Sequence, residues 1–160
     1  MSPFTSPQGY PAVPSVGAPD RATWILPPSA ESAQSARRQA ADRLQDWRLC
    51  HLIDDVTLIV SELVTNAICH GSGPIWHTVR RIRTAADDDV IRVEVGDYGS
   101  GWNGIPAPRE EGDDTHCDGR GLYLVEALSS KWGTWRLPHG YVVWAEFAAE
   151  PEPDASLVGS

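Results

Sequence analysis

Between Ile53 and His70, apolar residues recur at Val56, Ile59, Val60, Leu63, Val64, Ala67 and Ile68. This i, i+3, i+4, i+7 spacing predicts a helix with one buried face. Asp54 and Asp55 suit its first turn, where the helix dipole favours carboxylates, and Gly71 suits its end. Upstream, "AQSARRQAADRLQDWRL" is rich in strong helix formers, with Ser29 or Ser32 placed to cap it. Before that, "ATWILP" reads as a short strand stopped by Pro27 and Pro28. The segments "IWHTVRRIR" and "VIRVEVGD" are short, rich in β-branched residues and separated by the polar "TAADDD", so they predict a hairpin. "KWGTWRLP" and "YVVWAEFA", separated by His139-Gly140, predict another. Between the hairpins, "GRGLYLVEALSS" returns to helical spacing, with Leu122, Val125 and Leu128 on one stripe.

The order is strand, two helices, hairpin, long loop, helix, hairpin. Segregated helices and mostly antiparallel strands predict an α+β two-layer sandwich, with helices packed on one face of the sheet. The loop from Tyr98 to Asp118 is rich in Gly, Pro, Asn, Asp and Glu. At about twenty residues it is long enough to suggest a functional lid. Pro, Gly, Ser and acidic residues dominate both ends, which predicts disordered tails over residues 1–20 and 149–160 around one folded domain at 21–148.

A net charge of −9 opposes general attraction to nucleic acid or anionic lipid, so any basic residue that meets a phosphate must do so locally. Cys50, Cys69 and Cys117 form no C-x-x-C pair, which fits neither a disulfide framework nor a zinc knuckle. Cys50 and Cys69 read as small buried apolar residues. The first twenty residues have no basic and apolar leader pattern, and no run is long enough to span a bilayer, so a cytoplasmic location is expected.

Chemistry concentrates in three places. On a helix turning about 100° per residue, Glu62, Asn66 and His70 fall on one line bordering the apolar stripe. As solvated polar residues they would need no further explanation. In "VEVGDYGSGW", Asp97 ends an apolar strand and is followed by Gly99 and Gly101, which let a flat or charged ligand approach the backbone. A simple glycine turn explains this stretch equally well. In "GRGL", Gly119 and Gly121 flank a helix start whose free N–H groups suit an anion. That pattern, too, is common at ordinary helix starts. The three together, in this order, form a far more specific combination than any one of them.

Over roughly Trp24 to Phe147, the sequence resembles the ATP-binding proteins of the anti-sigma-factor kinase type, within the GHKL superfamily of histidine-kinase-like ATPase domains. "SELVTNAICHG" looks like that family's N box, "VGDYGSGW" like its first glycine box and "DGRGLYLVEALSSKWG" like its second. The resemblance implies a Bergerat-type sandwich built on a mixed, mostly antiparallel sheet, with ATP held between helices and lid. It assigns Asn66 to Mg²⁺, a cation that takes hard oxygen ligands. It assigns Glu62 to orienting or deprotonating the attacking hydroxyl, and Asp97 to the adenine amino group. Gly99, Gly101, Gly119, Gly121 and Leu122 would shape the nucleotide walls, with Arg120 as a phosphate contact.

The implied activity is phosphorylation of a small anti-anti-sigma (STAS-type) partner on Ser/Thr with Mg-ATP. A sigma factor is a further partner, neither nucleic acid nor membrane is contacted directly, and the exposed sheet edge is compatible with a homodimer. A second expectation, of a different class, is a non-catalytic nucleotide-binding module that presents a protein-binding face; a third is a domain that binds partners without nucleotide. Two departures keep the second expectation open: Tyr141 follows Gly140 where the family commonly has Gly-Lys, and the lid carries Glu110, Glu111, Asp113 and Asp114. The Tyr141 departure is expected to bear on the phosphate end and to spare the adenine end. No P-loop motif is present, and Asp97-Tyr98-Gly99 lacks the other signatures of a eukaryotic-type kinase. His116-Cys117-Asp118 reads as an ordinary loop before a metal site. Trp132, Trp135 and Trp144 read as core residues, and Trp102 as a reporter of nucleotide binding.

Overall fold

The structure is a computed structural model describing residues 20–71, 73–86, 88–98 and 120–149. Strand β1 (Arg21–Leu26) leads through Pro27 and Pro28 into helix α1 (Glu31–Asp46), and a short 3₁₀ turn (Cys50–Leu52) leads into helix α2 (Ile53–His70). Strands β2 (Ile75–Arg83) and β3 (Asp89–Asp97) form a hairpin; helix α3 (Arg120–Leu128) precedes a second hairpin, β4 (Lys131–Leu137) and β5 (Gly140–Ala149). The sheet runs β1-β2-β3-β5-β4, and every pairing among these strands is antiparallel. The α+β two-layer sandwich expected from the sequence is therefore present.

One-sided burial explains why α2 forms where its pattern predicts. Val56, Ile59, Val60, Leu63, Val64 and Ala67 are buried, and Ile68 lies half-buried beside them. Burying each of the larger side chains contributes about 1.5–3 kcal/mol. Helix α1 presents Ala36, Ala40 and Leu44 to the same core. The sheet contributes Ile75 and Val79 of β2, Ile91, Val93 and Val95 of β3, and Tyr141, Val143, Ala145 and Phe147 of β5. These alternate with residues on the opposite, open face, as the two-residue period of a strand requires. Leu122 and Val125 of α3 are buried, and Leu128 is half-buried.

Several local expectations are corrected. Neither Ser29 nor Ser32 caps α1: Ala30 occupies the cap position without a side-chain bond, while the Ser32 hydroxyl donates back to the Pro27 carbonyl. The preceding Pro-Pro turn claims that hydroxyl. In the second hairpin the turn is Pro138-His139, and Gly140 already belongs to β5. Cys50 is exposed and free, whereas Cys69 is half-buried and disulfide-bonded, with its partner outside the described residues. Trp132 packs against the core, but Trp135 and Trp144 share the open face, as the register places them across from Val142 and Gly133. There, Gly96 lies beneath the Trp76 indole, where any Cβ would overlap the ring. The expected tails, apart from Asp20 and Ala149, and the lid beyond Tyr98, including Trp102, lie outside the described residues. No helix among the described residues is long and apolar enough to cross a membrane.

Candidate functional site

Helix α2 packs against both β3 and α3, so it is the common neighbour of the three chemical stretches. Asn66, between Leu63 and Ala67 on the inward side of α2, is 4 % exposed; Glu62, one turn earlier, is half-buried. Among the described residues, nothing hydrogen-bonds the Asn66 carboxamide. Its polar atoms are not sealed from solvent, so the carboxamide stays open to a ligand. Its hard carbonyl oxygen suits Mg²⁺, and the site fits such an ion on this observation.

Asp97 is 2 % exposed at the end of β3. Its carboxylate lies against Gly71, which ends α2 and donates from its N–H to the Ala67 carbonyl at 2.9 Å. A Cβ on Gly71 would stand 2.6 Å from both Cγ and Oδ2 of Asp97. Burial penalises a carboxylate, and so does the negative end of a helix dipole.

The cross-strand register sets Tyr141 beside Asp97 on the same, helix-covered face. Tyr141 is buried, so the departure from Gly-Lys bears on the Asp97 end of the site and corrects the expectation that this end is spared. The Pro138-His139 turn fixes only Tyr141 against Arg136, and the pairing with Asp97 joins strands distant in sequence, so no local signal gave it.

Leu122 is buried in the first turns of α3, whose backbone also includes Arg120 and Gly121. Gly99, Gly101 and Gly119 lie outside the described residues, as do the lid acids and His116-Cys117-Asp118. Helix α2, which carries Glu62 and Asn66, thus packs against β3, which ends at Asp97, and against α3. No cluster of three His, Cys, Asp or Glu side chains suited to a metal occurs among the described residues.

A sheet of antiparallel strands covered on one face by helices is consistent with the sandwich of the histidine kinase-like ATPase domains. Residues 26–147 match the model of the histidine kinase-like ATPase domain, and the chain belongs to that family. Among solved structures, it is similar to the RsbU and RsbW domains of Rv1364c from Mycobacterium tuberculosis, with a TM-score of 0.59 and 21% identity. That likeness covers 80% of this chain and 32% of the other, and it establishes a shared fold. No curated protein matches the chain in sequence.

Proposed function

We propose that the chain is an ATP-binding regulator of the anti-sigma-factor type, phosphorylating a small anti-anti-sigma protein on Ser or Thr, with a sigma factor as a further partner. The observation that carries this reading is that helix α2 bears Asn66 on its inward side and ends at Gly71 against the buried Asp97 carboxylate. Family membership supports the ATP part of it.

Bound Mg-ATP supplies the phosphoryl group. Asn66 would hold Mg²⁺, while Arg120 and the glycine-flanked start of α3 would face phosphate oxygens. Glu62, one turn from Asn66, would hydrogen-bond the acceptor hydroxyl and take its proton as the oxygen attacks. Asp97 would accept a hydrogen bond from the adenine amino group. Guanine presents a carbonyl at that position, so the contact favours ATP over GTP. Gly99, Gly101, Gly119, Gly121 and Leu122 would line the pocket.

A second reading, a non-catalytic module that uses nucleotide to present a protein-binding face, draws on Tyr141 standing beside Asp97 in place of the family's lysine. Transfer from γ-labelled ATP to a STAS-type protein separates the two readings. The kinase reading expects transfer that Glu62→Ala abolishes while nucleotide affinity stays within a few-fold; absence of transfer to any such partner favours the second.

A further inference from the structure

Two glycines press on Asp97 from different sides. Gly71, at the end of α2, lies against its carboxylate. Gly140, the first residue of β5, lies against its main chain. A Cβ on Gly140 would overlap the Asp97 carbonyl oxygen and stand 3.2 Å from the carbonyl carbon and 3.5 Å from Tyr98 Cα. The register explains the closeness. Gly140 pairs with Leu137 where the second hairpin turns, and the next residue, Tyr141, pairs with Asp97. The start of β5 is therefore held against the end of β3 at the position that carries the buried carboxylate.

The three atoms nearest to a Cβ on Gly140 are all backbone. Neither a carbonyl nor a Cα can rotate out of the way, so relief comes from moving the two strand ends apart. Gly133, on β4 of the same hairpin, differs. A Cβ there would stand 2.7 Å from Cζ2 and 2.9 Å from Nε1 of Trp144, a side chain on the open face. Trp144 pairs with Glu94, three residues before Asp97 and so about 10 Å along the strand. The hairpin thus has one glycine packed on the site and one packed away from it.

We propose that Gly140 is a positioning residue for nucleotide selection: by letting β5 approach the Asp97 main chain, it holds the carboxylate where the adenine amino group is read. This rests on the nucleotide reading above, in which Asp97 is the acceptor. A hydrogen bond tolerates only a few tenths of an ångström. A displaced strand end therefore takes the carboxylate out of reach, and with it the distinction between the amino group of adenine and the carbonyl of guanine.

The test titrates four full-chain proteins with Mg-ATP and Mg-GTP and measures the Tm of each: wild type, Gly140→Ala, Gly133→Ala and Asp97→Asn. Gly140→Ala is expected to lose about tenfold or more in ATP affinity, the worth of one hydrogen bond to a charged group, and its preference for ATP is expected to shrink toward that of Asp97→Asn. Gly133→Ala is expected to lower Tm and keep the wild-type preference. Unchanged preference in Gly140→Ala, or an equal loss of preference in both glycine variants, would overturn the positioning role. Hydrogen exchange on the wild type needs no substitution and decides the matter if Gly140→Ala does not fold. Bound Mg-ATP is expected to slow exchange at Gly140 and Tyr141 several-fold more than at Gly133; equal slowing at all three would overturn the proposal. A wild type that binds GTP as well as ATP would overturn the nucleotide reading itself, and the proposal with it, whereas a selective wild type beside an equally selective Gly140→Ala would overturn the proposal alone.

Discussion

Gly71, at the end of α2, and Asp97, at the end of β3, touch so closely that a methyl group on Gly71 would lie 2.6 Å from the Asp97 carboxyl carbon. The same methyl would stand 2.6 Å from the Ala67 carbonyl oxygen, which is backbone and cannot swing away. Gly71→Ala therefore pushes Asp97 from its place. ATP affinity by calorimetry is expected to fall at least about tenfold, equivalent to about 1.4 kcal/mol.

Asn66 separates stability from function. Its carboxamide reaches solvent, so an apolar residue of similar size there is expected to cost little stability. Asn66→Leu is expected to leave the stability of the nucleotide-free protein to denaturant within about 1 kcal/mol, while removing the Mg²⁺ dependence of ATP binding. A strongly destabilised variant would mean that the carboxamide is a structural element.

His77 links stability to acid. Its ring is fully buried between β2 and α1, where the neutral form donates from Nε2 to Gln39 Oε1 at 2.7 Å and stacks on Trp24. Burial lowers its pKa from 6.5 to about 3. Between those values the unfolded chain binds the proton and the folded chain does not. This group's stability contribution is thus intact above pH 6.5 and erodes as pH falls toward 3, by up to about 1.4 kcal/mol per unit. Urea unfolding against pH should show this limb, and His77→Phe should flatten it.

The open face depends on Gly96. Gly96→Ala would displace the Trp76 indole that lies over it. A loss of about 2 kcal/mol, with a red shift in tryptophan emission, is expected.

What was legible in the sequence followed from local periodicity. Helix α2 ends at Ile53 and His70 as its stripe predicts, because one face is buried and the other is not. Both hairpins were readable from β-branched runs and turn residues. Features set by cross-strand register were hidden: Tyr141 beside Asp97, and Arg80 between two arginines, emerge only when strands distant in sequence are paired. The capping serine was misread because the adjacent Pro27 carbonyl captures its hydroxyl. Asn66 and Asp97 stood out in the sequence as a polar residue at an apolar border and an acid at a strand end, and the structure buries both. The Gly71 contact between the two elements is a tertiary fact.

Titration of wild type and Asp97→Asn with Mg-ATP and Mg-GTP tests the central claim most directly. Saturable, ATP-selective binding in the wild type and its loss in the variant are predicted, because the buried carboxylate is the proposed acceptor for the adenine amino group. Unchanged ATP affinity in Asp97→Asn, or equal binding of GTP by the wild type, would contradict it.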